Sequence, residues 1–190
     1  VASNTFSKSV VILFSGKAGV GKTTCAQRVY DIYSKEVMAK IAPIATGVKL
    51  TAQNSFGWDN VKDGKGRKLL QNIGQAGREY NENIWVELMF EHLLPADKRF
   101  PFDLILVDDW RFPNEYDFIS NRSMYRVYRA RILAPEREIL KDSIAYNDIS
   151  ETSLDDYQKF EFVLDNTKSK EHLYNQLDGI MSLVVSENTY

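Results

Sequence analysis

A doubly wound α/β fold with a five-stranded parallel sheet is predicted by three features of this sequence. Apolar runs of strand length alternate with helical patterns, one glycine-rich loop joins the first run to the first helix, and two aspartates close the central run. The chain has 190 residues, 44% of them hydrophobic, enough for one sizeable core. No internal repeat, low-complexity tract or linker divides it, so residues 1–190 are expected to form a single domain.

The elements follow in order. Val10, Val11, Ile12, Leu13 and Phe14 read as a buried strand, and Thr24 to Lys35 as the helix that follows. Between them Gly16, Lys17, Ala18, Gly19, Val20, Gly21, Lys22 and Thr23 fit the phosphate-binding pattern G-x-x-x-x-G-K-[ST] at every fixed position. The glycines allow a tight bend that turns backbone N–H groups toward one point, beside the positive end of a helix. Lys22 is expected to reach the β and γ phosphates of a nucleotide, and the Thr23 hydroxyl to ligate Mg²⁺, with Thr24 completing the segment. The alternative, a glycine turn that binds nothing, does not explain why strand, lysine and threonine occur together.

Lys40 to Val48 suggests a short strand with a turn, and the polar stretch from Thr51 to Arg67 a mobile loop. Leu69, Leu70 and Ile73, then Trp85, Val86, Leu88, Met89 and Leu93, give helical patterns interrupted near Gly74 and Gly77 and ended before Pro95. Phe102 to Val107, apolar except for Asp103, reads as a central parallel strand. Met124 to Leu133 alternates as a strand, a charged segment extends to Ser150, Phe160 to Leu164 is the fifth strand, and Glu171 to Val185 the closing amphipathic helix.

The end of the central run reads Asp108, Asp109, Trp110, Arg111, Phe112, Pro113, Asn114, Glu115. A carboxylate at a strand end beside a phosphate loop can hold Mg²⁺, directly or through water; Asp109 is the first choice and Asp108 the second. Their other role is a solvated pair capping a helix that starts near Pro113. Arg111 can fork onto a phosphate or pair with Glu115. In the segment from Arg67 to Trp85, Arg67, Gln71 and Arg78 either converge on one small ligand or belong to an ordinary helix pair with solvated arginines.

Composition narrows the partners. Lys plus Arg number 24 against 26 Asp plus Glu, a net charge of −2, which gives no general attraction to nucleic acid or to an anionic membrane. The GKGRK run at Gly64 to Lys68 is a solvated loop or a substrate contact. Cys25, the single cysteine, is expected to be a buried apolar residue, and His92 and His172 lack ligands at zinc spacing. Cytoplasm, or host cytoplasm for a viral protein, is the expected compartment.

The order GKAGVGKTT, R-x-L-L-Q-x-x-G-x-x-x-R with a following Trp-Val, D-x-R-F-P-N-E and S-E-T-S-L-D resembles the phage-type deoxynucleoside monophosphate (dNMP) kinases over residues 10 to about 166. The resemblance implies a P-loop kinase fold, with an acceptor-binding region at about 45–95 and a lid at about 133–150. The reaction it implies converts ATP and a dNMP to ADP and a dNDP. It places Lys22, Asp109, Arg111 and Arg78 at the reaction centre and Thr23 and Asp109 on Mg²⁺. Arg67, Gln71, Arg78 and Glu151, with Ser150 beside it, would face the substrate. Arg129, Arg131 and Arg137 lie where the lid closes, and Arg131 and Arg137 are candidates for ATP. Trp58, with Phe56, is a candidate for stacking on the acceptor base. The chain departs from the pattern at Asn147 and Asp148, where a histidine is common, and at Gly74, Gln75 and Ala76, where G-T-E is common. A homodimer is a further expectation.

Three readings follow: a dNMP kinase, a kinase of another small phosphorylated acceptor such as phosphomevalonate, or a nucleotide-dependent switch or binding module acting through a partner. An N-K-x-D guanine element is lacking, which counts against a GTPase-type switch.

Overall fold

The computed structural model of the chain describes residues 6–93, 102–141 and 144–188. In order the elements are β1 (Ser9–Ser15), α1 (Lys22–Tyr33), β2 (Ala39–Ile41), α2 (Thr46–Phe56), α3 (Gly64–Tyr80) and α4 (Ile84–Leu93). They continue with β3 (Leu104–Val107), α5 (Pro113–Ser120), β4 (Tyr125–Leu133), α6 (Ile149–Thr152), β5 (Phe162–Asp165) and α7 (Lys170–Asn188). Short 3-10 turns at Pro135–Arg137 and Ile144–Asn147 link β4 to α6.

The five strands form one parallel sheet in the order β2-β3-β1-β4-β5. Val10 to Leu13 lie in register with Leu104 to Val107 on one side of β1, and Ser9 to Ser15 with Tyr125 to Arg131 on the other. Strand residues alternate between faces, so β1 feeds two cores. Val10, Ile12 and Phe14 pack with Cys25, Ala26 and Val29 of α1 and with Leu173, Leu177 and Met181 of α7. Val11 and Leu13 face Trp85, Val86 and Met89 of α4, together with Trp110 and Ile119. Both sheet faces are therefore covered, as doubly wound sheets require. The chain leaves β1 toward β2 on one side and returns from β3 to β4 on the other. That reversal opens a crevice at the carboxyl ends of β1 and β3, where such sheets bind ligands.

Two sequence expectations are corrected. The mobile loop expected over Thr51 to Arg67 is largely helical: α2 runs to Phe56 and α3 starts at Gly64, with only residues 57–63 between them. Helix α2 was hidden by its composition, because it buries only Gly47, Val48 and Ala52, too small and too few for a clear apolar stripe. The break expected at Gly74 and Gly77 is also absent. Helix α3 runs through both, because its glycines serve packing: the Trp85 indole N–H donates to Gly74 O at 2.9 Å, and the ring lies against Gly77. Asp63 fixes the start of α3 by accepting the Gly66 N–H at 2.7 Å. The expected helix end before Pro95 and strand boundary at Pro101 lie outside the described residues, as does part of the expected lid.

This packing gives a test. A β-carbon at Gly77 would lie 2.3 Å from Trp85 Cζ2. Gly77→Ala gains about 1 kcal/mol of helix propensity, but overpacking opposes it by about 1–3 kcal/mol. Urea denaturation should find the variant equal to or less stable than the parent; a gain approaching the full propensity difference would contradict the Trp85 contact.

Candidate active site

The phosphate-loop geometry is set by its glycines. Gly16, Gly19 and Gly21 have φ of 143°, 92° and 105°, a region that disfavours other residues. Gly21 precedes α1, and a β-carbon there would also come within 2.7 Å of Asn166 Nδ2, whose amide donates to Val20 O at 2.8 Å. The loop curls around the Lys22 ammonium, which donates to Gly16 O and Lys17 O at 2.8 Å each. Burial, reinforced by the Arg111 charge, lowers the Lys22 pKa from 10.5 to about 7, although Glu151, Asp109 and Asp108 oppose the shift.

The Thr23 hydroxyl donates to Asp108 Oδ2 at 2.6 Å. Asp109 points elsewhere, accepting the N–H groups of Ile44 at 2.8 Å and Ala45 at 3.0 Å just ahead of α2. Burial, with Asp108 alongside, raises its pKa above the usual carboxylate range. The order of preference between the two aspartates is thus reversed: Asp108 stands by Thr23, and Asp109 ties the β3 end to α2. Successive residues leaving a strand point to opposite sides, so only one of them can face the loop.

Arg111 bridges the site. Its guanidinium pairs with Glu151 at 2.9 Å and donates to Gly16 O at 3.2 Å. Glu115 is not its ionic partner. The Glu115 carboxylate instead accepts the backbone N–H groups of Arg111 at 3.0 Å and Phe112 at 3.1 Å, which fixes the first turn of α5. Burial raises the Glu115 pKa to about 7 against those two hydrogen bonds. Glu151 is buried and accepts the Ala18 N–H at 3.0 Å, while Lys17 donates to Glu151 O at 2.8 Å and pairs with Asp155 at 2.6 Å. Arg131 joins this network through Asp155 at 3.0 Å and Ser15 Oγ at 3.1 Å.

A cleft of about 400 Å³ lies between the loop and α3. Ala18, Gly19, Lys22, Thr23, Asp108 and Arg111 line it, as do Arg67, Gln71 and Arg78 of α3. The Arg78 guanidinium lies 4.0 Å above the Phe112 ring centroid, a cation–π contact that leaves its fork at the cleft.

The chain matches no protein-family model and no curated protein. Among solved structures, a gluconokinase from Sinorhizobium meliloti 1021 aligns over 96% of this chain and 95% of its own at TM-score 0.52 and 10% identity. The fold is a P-loop kinase fold. The APS kinase CysC from Mycobacterium tuberculosis aligns at TM-score 0.47 and 11% identity over 93% of this chain and 97% of its own. A shikimate kinase from Aquifex aeolicus vf5 aligns at 0.43 and 15% over 93% and 98%.

Within this P-loop kinase fold the predicted site residues divide into two groups. Ala18, Gly19, Lys22, Thr23, Arg67, Gln71, Arg78, Asp109, Arg111, Ser150 and Glu151 line one cleft. Gly16, Lys17, Val20 and Gly21 support it from behind, and Thr24 is exposed on α1. Trp58 does not line the cleft; its indole donates to Val61 O at 3.0 Å, and Phe56 is exposed on the surface. Arg131 and Arg137 are likewise off the cleft lining. Arg137 donates to Asn166 Oδ1 at 3.1 Å and Lys168 O at 2.8 Å, and Arg129 is held by Glu161 and by Tyr157 Oη at 2.6 Å.

Sequence reading also missed contributors. Asp155, within the S-E-T-S-L-D run, holds Lys17 and Arg131 together, and Ile139 N donates to Ala18 O at 3.1 Å, tying the segment after β4 to the loop. Among the described residues no cluster of three or more His, Cys, Asp or Glu is arranged to hold a metal, and no helix is long and apolar enough to cross a membrane. The Thr23 hydroxyl and Asp108 carboxylate nevertheless match the hard oxygen donors that Mg²⁺ takes beside phosphates.

Proposed function

We propose that this chain transfers the γ-phosphate of ATP to a deoxynucleoside monophosphate, giving ADP and a dNDP. The observation that carries the reading is one cleft lined both by the phosphate loop with Lys22 and by Arg67, Gln71 and Arg78 of α3. That arrangement suits two phosphorylated molecules meeting end to end. The motifs that resemble those of dNMP kinases include residues of both groups, and a solved structure that shares the fold is named a gluconokinase.

Phosphoryl transfer asks for alignment and neutralisation of charge rather than covalent help from the protein. An acceptor phosphate is already an anionic nucleophile, so no general base is required. Lys22 and the loop N–H groups hold the β and γ oxygens of ATP, and Arg111, next to Gly16 O, faces the transferred group. Mg²⁺ bound beside Thr23 and Asp108 would screen phosphate charge. Arg67 and Arg78 hold the acceptor anion, and Glu151 keeps Arg111 oriented.

A second reading is favoured by one observation. Trp58 and Phe56 are off the cleft, so the aromatic platform expected for a base is not supplied by them. That leaves room for a phosphorylated acceptor without a base, of the phosphomevalonate type. ADP release from Mg-ATP, followed with each dNMP, each ribose counterpart and phosphomevalonate as separate acceptors, tests both. Stimulation by a dNMP is expected. Stimulation by phosphomevalonate alone would favour the second reading, and slow ATP loss indifferent to every acceptor would leave a switch or binding module.

A further inference from the structure

The cleft lining holds more positive charge than the sequence motifs account for. Lys49 of α2 and Lys62, in the turn before α3, line the cleft together with Arg67. Among the described residues none of these three side chains has an ion-pair partner, whereas Lys17, Arg111, Arg129 and Arg131 near the site are each paired with a carboxylate. Two carboxylates of the region are engaged with backbone: Asp63 caps α3 through Gly66 N, and Asp109 accepts the Ile44 and Ala45 N–H groups. The cations also feel one another. Lys62 has its pKa lowered first by lost hydration and then by the charges of Lys49 and Arg67, with Asp109 and Asp108 opposing. Like charges gathered in a cleft raise the free energy of the empty protein, and an anion with several oxygens relieves that repulsion.

We propose that Lys49 and Lys62 complete, with Arg67, a dianion subsite that receives the phosphate of the acceptor and favours phosphorylated acceptors over those offering only a hydroxyl. The proposal rests on the kinase reading for the identity of the ligand, but the charge cluster stands without it. A terminal phosphate presents three oxygens, and two ammonium groups with one guanidinium supply donors to all of them. Lys49, Lys62 and Arg67 line the same cleft as Lys22, Thr23 and Asp108. An acceptor phosphate held there shares that cleft with the phosphate loop.

The test uses the full chain with Lys49→Gln, Lys62→Gln and the double variant, read in two independent ways. In steady-state assays each single variant is expected to raise the KM of the acceptor about tenfold, and the double variant about a hundredfold, with the KM of ATP within about twofold of the parent. In thermal melts without ligand each variant should unfold at or above the parent temperature, because a repelling charge has gone. Added inorganic phosphate should stabilise the parent more than the double variant; any share due to the phosphate loop is common to both. An unchanged acceptor KM in the double variant would overturn the subsite and leave the kinase reading standing. If the parent phosphorylates none of the acceptors, the kinase reading fails and the phosphate melts decide the subsite. Equal phosphate stabilisation of parent and double variant would then overturn it.

Discussion

Lys22→Ala is expected to lower turnover at least about 100-fold while leaving the protein folded, because under the proposed kinase function it removes the cation that would meet the transferred phosphate in a water-poor loop. The same residue gives the ligand-free protein a pH signature. Its pKa is about 7 when folded and 10.5 when unfolded. Between those values the unfolded chain holds a proton that the folded chain has released, so the contribution of Lys22 to stability rises with pH through this window. Below pH 7 both states are protonated, and the full cost of a buried charge is present. Lys22→Ala lacks this slope, so parallel melting series should show the parent gaining on the variant from pH 7 toward pH 10. A triphosphate should return the proton to Lys22, so nucleotide binding near pH 8 should be accompanied by proton uptake, detectable by calorimetry in buffers of different ionisation enthalpy. Parallel pH slopes for parent and variant would mean that the ammonium keeps its charge in the empty loop.

Arg78→Ala should lower kcat/KM for the acceptor about 10- to 100-fold, mainly through KM, with the KM of ATP little changed. The fork rests on the Phe112 ring, and Gly74, one turn earlier on α3, leaves it room. A lysine at this position keeps the charge but not the planar fork or the stacking, so Arg78→Lys should recover only part of the loss. Unaltered acceptor kinetics in Arg78→Ala would remove Arg78 from the substrate site.

Local chemistry explains what the sequence disclosed. The phosphate loop is contiguous, and its flanking strand and helix have periodicities readable within a dozen residues. Strands β1, β3 and β4 were legible for the same reason. Contacts between distant segments were not. Gly74 and Gly77 look like helix breakers until Trp85 is seen packed on them, and α2 buries too little apolar surface to betray itself. Choosing between Asp108 and Asp109 depends on which way one peptide faces, and the amides that hold Asp109 belong to Ile44 and Ala45. The exclusion of Trp58 from the cleft follows from a local bond to Val61 O that no periodicity encodes.

The ties across the cleft join parts of the chain that are far apart in sequence. Asp109 reaches amides 64 and 65 residues upstream, and Ala18 N meets a carboxylate 133 residues downstream. Loops of that length close late, so the site should be assembled among the last events of folding. No fragment short of nearly the whole domain can contain it. Nucleotide affinity therefore doubles as a gauge of global integrity, and a bound nucleotide should slow proteolysis across the domain rather than only around the loop it occupies.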